Sequence, residues 1–92
     1  MNSVTATLTP YNPELASAGL PAEQVDFAVG PSPSTSIACK IEVWRSGKLV
    51  GSISIGASVP LRHTSSLSVP VSITESTFAG KRSNAHVTCH NS

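Results

Sequence analysis

Apolar and polar residues alternate with period two in six runs along the chain, the pattern of strands that bury one face. Val4, Ala6 and Leu8 alternate with threonines up to Pro10. Val25, Phe27 and Val29 form the second run, closed by Gly30-Pro31-Ser32-Pro33. Ile37, Cys39, Ile41 and Val43 alternate with Ala38, Lys40, Glu42 and Trp44. Leu49, Gly51, Ile53, Ile55, Ala57 and Val59 form a long fourth run, which counts as two strands if it bends at Gly56. Leu67, Val69, Val71 and Ile73 form the fifth. Ala85, Val87 and Cys89 alternate with His86, Thr88 and His90 in the last.

One segment departs from the pattern. Residues 12–21, Asn-Pro-Glu-Leu-Ala-Ser-Ala-Gly-Leu-Pro, predict one or two helical turns. Asn12 suits the N-cap, Pro13 the first helical position and Gly19 the residue after the last turn. Leu15 and Leu20 would then plug one end of the β structure.

The register of the third and fourth runs can be argued from parity. Residues opposed across an antiparallel ladder point to one face. Odd positions look buried on both sides of the turn, so paired numbers must sum to an even number. A three-residue loop, Arg45-Ser46-Gly47 with Gly47 left-handed, satisfies this. It pairs Val43 with Leu49, Ile41 with Gly51, Cys39 with Ile53 and Ile37 with Ile55. In the fifth run Pro70 cannot donate a ladder hydrogen bond, which predicts an edge strand or a bulge.

Six or seven short strands in 92 residues predict an all-β fold, an antiparallel immunoglobulin-like β-sandwich with one short helical turn. The length suits a single domain spanning residues 1–92. Composition agrees. Serine and threonine supply 24 residues, valine and isoleucine 14, and charged residues only 12%. A disordered tail would carry more charge and fewer β-branched residues. The net charge of +1 provides no field to gather nucleic acid. No apolar run approaches the roughly 20 residues of a membrane span, so direct membrane insertion is not expected of this segment. The residues after Met1 have neither the basic region nor the apolar block of a signal peptide.

A resemblance to a family follows from three stretches. Ala38-Cys39-Lys40-Ile41-Glu42-Val43-Trp44-Arg45-Ser46-Gly47-Lys48-Leu49-Val50-Gly51 resembles the central hairpin of small bacterial extracytoplasmic domains of the FxLYD type. Phe27-Ala28-Val29-Gly30-Pro31-Ser32 is similar to the strand and loop before that hairpin, and Ala85-His86-Val87-Thr88-Cys89 to the closing strand. The likeness spans about residues 25–89. Gly30 stands where those domains commonly have Asn, and the sequence that names the family is absent. The resemblance implies an accessory module on a secreted protein or lipoprotein, without chemistry of its own.

Candidate chemistry is sparse. Cys39 and Cys89 are the only cysteines, and both occupy inward positions of their runs. They form either one disulfide, in an oxidising compartment, or two buried thiols. The stretch His86-Val87-Thr88-Cys89-His90 is the nearest approach to a metal motif. On an extended strand the two histidines share a face about 13 Å apart, and Cys89 faces the other way. No metal or other cofactor is therefore expected. No nucleophile elbow, phosphate loop or carboxylate pair is evident, so the chain does not read as an enzyme. Trp44 shares an outer face with Lys40 and Glu42, and Trp44, Arg45 and Lys48 are the candidate partner surface.

These residues do not name a function. The expectation is a non-catalytic extracytoplasmic module that binds or spaces, with a protein partner of unknown identity. Two alternatives fit the same fold. One is a structural sandwich in a virion or other assembly. The other is a small secreted inhibitor acting through a surface loop such as 62–66 or 77–83.

Overall fold

A computed structural model describes residues 4–9, 22–74 and 83–91 of the chain. They form six strands: β1 Val4–Thr9, β2 Ala22–Val29, β3 Ser36–Arg45, β4 Lys48–Ser58, β5 Ser65–Ser72 and β6 Asn84–Asn91. All six alternating runs are strands, and the fourth continues unbroken through Gly56. The expected helical turn at 12–21 lies outside the described residues.

The strands build two antiparallel three-stranded sheets, ordered β1-β2-β5 and β4-β3-β6. The sheets pack face to face as a β-sandwich. β2 and β3 are the central strands, and the most deeply buried residues lie on them: Val25, Phe27 and Val29 face Ile37, Cys39, Ile41 and Val43. Each of these valine, isoleucine and phenylalanine side chains, removed from water, contributes about 1.5–3 kcal/mol. β1 comes close to β6 along one flank and β4 to β5 along the other. Pro70 sits exposed on β5, an edge strand, as its missing donor requires.

The β3–β4 hairpin corrects the predicted register. The loop is two residues, not three: Ser46 and Gly47 both take positive φ, at 51° and 74°, and Arg45 pairs with Lys48. That combination is a type I′ turn, whose twist matches the flanking strands. The parity requirement is met elsewhere. The register shifts between Val43 and Trp44, so that Trp44 faces Leu49 but Val43 faces Gly51. Val50 is the extra residue, and the bulge switches which parity of β4 points inward. Beyond it Ile41 opposes Ile53, Cys39 opposes Ile55 and Ile37 opposes Ala57. Before it Val50 turns inward at 1% exposure and Leu49 outward at 42%.

The bulge also ties β4 to the other sheet. The Thr74 backbone N–H donates to the Val50 carbonyl at 2.9 Å, and the Thr74 hydroxyl donates to the same oxygen at 3.1 Å. Gly51, the next residue, lies so close to the Ser72 carbonyl that a Cβ there would collide with it. At the opposite end, Ser32 is buried and its carbonyl accepts the Arg62 N–H at 2.7 Å.

Candidate functional site

Cys39 and Cys89 are bonded to each other. They are direct cross-strand partners on β3 and β6, with Cα atoms 4.1 Å apart. The bond therefore lies within one sheet. It is unlike the disulfide of antibody domains, which crosses between the sheets with a tryptophan packed against it; here Trp44 is on the opposite face of β3. The bonded Cys89 is not available as a metal ligand. His86 and His90 are both exposed on the outer face of β6. Among the described residues no group of three His, Cys, Asp or Glu side chains is arranged to hold a metal ion.

The three residues expected to form a partner surface separate. Trp44 is half-buried on the outer face of the β4-β3-β6 sheet. Leu49 opposes it on one side and Asn84 on the other. The His86 ring stands edge-on to the indole, with centroids 6.2 Å apart and planes at 72°. Glu42 opposes His86 and approaches Lys40 at 3.8 Å. Lys48 is exposed at the hairpin turn.

Arg45 is the correction. It belongs to the interior and not to the surface, with a side chain only 2% exposed. The alternation of β3 continues through Arg45, which points inward like Val43 and Ile41. A three-residue loop would take it out of the strand, whereas the two-residue turn keeps it in β3, paired with Lys48. Its Nη2 lies 3.1 Å from Oε1 of Glu23, whose side chain is 5% exposed. The same Nη2 donates to the Ser83 hydroxyl at 2.7 Å, and that hydroxyl donates to Glu23 Oε1 at 3.2 Å. The three groups join β2 of one sheet to β3 and to the residue just before β6 in the other. A signal for this was present: Glu23 extends the inward series of Val25, Phe27 and Val29 by one step. Two opposite charges on inward positions of two strands are most simply accommodated by pairing.

The other carboxylates are dispersed. Asp26 lies on the outer face of β2, where its Oδ1 accepts from Gln24 Nε2 at 2.7 Å and from the Ser68 hydroxyl at 2.6 Å. Thr5, Thr7 and Ser68 line a shallow depression around it. His63, in the 60–64 loop, is exposed. Glu14, Glu75, Lys81 and Arg82 lie outside the described residues.

No protein family, curated protein or solved structure matches this chain. The molecule's own geometry is what any functional reading rests on. Its distinctive outward feature is the Leu49–Trp44–His86 row across three strands, on a face that also carries Ser52, Ser54, Asn84, Thr88, His90 and a Lys40–Glu42 pair.

Proposed function

We propose that this chain is a non-catalytic, immunoglobulin-like extracytoplasmic module that binds a protein partner through the outer face of the β4-β3-β6 sheet. The observation that carries the binding role is Trp44. It is the sole tryptophan of the chain, and it stays half-buried and outward beside Leu49, which is 42% exposed. A large aromatic flanked by an exposed aliphatic residue, with polar groups around it, has the composition of an interface hot spot.

The disulfide supports the compartment, because such bonds persist where thiols are not kept reduced. Strand order supports the immunoglobulin-like type. Those sandwiches group strands A, B and E in one sheet, and in variable-type domains C′, C and F in the other. β1-β2-β5 and β4-β3-β6 follow the same order. The resemblance of residues 25–89 to FxLYD-type domains is in keeping with both.

The test is a comparison of two baits in the native extracellular fraction. A partner retained by the unmodified protein and lost with Trp44→Ser supports the reading. Equal retention by both overturns the assignment of the face. Recovery of the native protein from cytoplasm with reduced cysteines overturns the compartment.

A further inference from the structure

A three-stranded sheet has two edge strands, and each edge carries backbone N–H and C=O groups that can template another strand. This sandwich has four edges. β1 and β6 approach one another along one flank. β5 carries Pro70, which disfavours pairing on an edge strand. β4 is the exception. Among the described residues nothing pairs with its outer side beyond Gly51, and no charge or proline falls between Leu49 and Val59.

Its free edge can be assigned residue by residue. The 4.1 Å Cα separation of Cys39 and Cys89 is that of a non-hydrogen-bonded pair. The backbone groups of Cys39 then point the other way, to Ile55 of β4. Odd residues of β4 beyond the bulge therefore bond to β3, and even residues point outward. Two further bonds agree. The Val59 N–H donates to the Thr35 carbonyl on the β3 side, and the Val50 carbonyl turns away from β3 to accept from Thr74. The open donors and acceptors are thus those of Ser52, Ser54, Gly56 and Ser58.

The side chains beside that edge are apolar and under-covered. Ile53 faces inward with Ile41, yet it is 37% exposed while Ile41 is 0% exposed. Ile55 and Ala57 are also only partly buried. The opposing sheet covers β4 at Gly51 and leaves its far half open.

We propose that β4 pairs antiparallel with β4 of a second copy of this chain, joining two β4-β3-β6 sheets into one of six strands. The second copy is favoured because the edge is self-complementary. One register uses all four open residues: Ser52 opposes Ser58 and Ser54 opposes Gly56, each reciprocally. The twofold axis then passes between the two Ile55 residues, and Ile53 meets Ala57 of the partner copy. Within the paired segment 52–58 the apolar residues Ile53, Ile55 and Ala57 fall on one side, and the segment carries no charge.

The experiment is sedimentation velocity on the full chain from about 5 to 500 µM, spanning the low-affinity range of small edge-to-edge contacts. The mass should double with concentration. Ser54→Pro and Ser54→Lys should each weaken dimerisation roughly tenfold or more, since proline or lysine on an edge opposes pairing. Circular dichroism checks that each folds, and the lysine variant stands if the proline variant does not. Ile53→Cys and Ala57→Cys proteins should cross-link when mixed and much less when either is alone, because only the mixture brings the two thiols opposite one another. A protein that stays monomeric throughout overturns the proposal. So does a dimer that survives both Ser54 substitutions, or cross-linking without preference for the mixture.

Discussion

Nη2 of Arg45 and Oε1 of Glu23 stand 3.1 Å apart in the space between the two sheets. Both side chains are almost wholly withdrawn from water, so neither charge is stable without the other. Removing one partner leaves a buried uncompensated charge, which costs about 3–5 kcal/mol. Arg45→Ala or Glu23→Ala should therefore bring a domain of this size, worth roughly 5–15 kcal/mol, near the limit of folding. Replacing both, with Glu23→Met and Arg45→Leu, should recover most of the loss. Urea titration of the singles and the double reads the difference. Additive losses in the double would show that the pair is not coupled.

Gly51 is required by proximity and not by backbone angle. A methyl group there would meet the Ser72 carbonyl, with Ile73 Cδ1 at 3.1 Å and Val71 Cγ1 at 3.3 Å. Gly51→Ala should cost about 1–3 kcal/mol as an overpacked contact. Gly56→Ala on the same strand is the control, since its nearest neighbour would be the Ile37 carbonyl at 3.9 Å. It should be neutral or stabilise by up to about 1 kcal/mol. Thermal unfolding separates the two at roughly 4–8 °C per kcal/mol. Equal melting temperatures would mean that the sheets yield at Gly51.

Trp44 packs on the outside of its sheet. Trp44→Ser should cost less than about 1.5 kcal/mol, against the 3–5 kcal/mol typical of a buried aromatic. Denaturation followed by circular dichroism decides it. A loss in the larger range would give Trp44 a role in the core.

The Cys39–Cys89 bond closes a loop with a sequence separation of 50. For such a loop the chain-entropy argument gives about 4 kcal/mol. Reduction should add two hydrogens to the intact mass and lower the urea midpoint accordingly. A midpoint unchanged on complete reduction would show that packing alone holds β6 in place.

Much of this architecture was legible because burial enforces period two. Ile37 to Val43 and Val25 to Val29 alternate without exception, and both are central strands. The chemistry of Pro70 narrowed its place to an edge or a bulge, and it lies on an edge; the even position of Trp44 turned it outward. Other features depend on relationships that one strand does not carry. Parity demanded one extra residue in the hairpin but not its location, and the chain has it as a bulge at Val50 and not in the turn. That choice sends Arg45 inward, Leu49 outward and Val50 into the core. The inward placement of both cysteines was readable, but their direct opposition required knowing that β6 pairs with β3.

Because the disulfide joins neighbours in one sheet, it also sets how the molecule answers tension. A pull on the two ends of the 92-residue chain passes from Cys89 straight to Cys39 and bypasses the 49 residues 40–88. Only the remaining 43 can be drawn out, about 150 Å at full extension instead of about 320 Å at ~3.5 Å per residue. β1 and β2 would peel away while β4 and β5 stay inside the closed ring. Force spectroscopy on oxidised and reduced protein reads those two lengths directly. A domain stretched between surfaces would thus give up β1 and β2 and keep β5 and most of its second sheet.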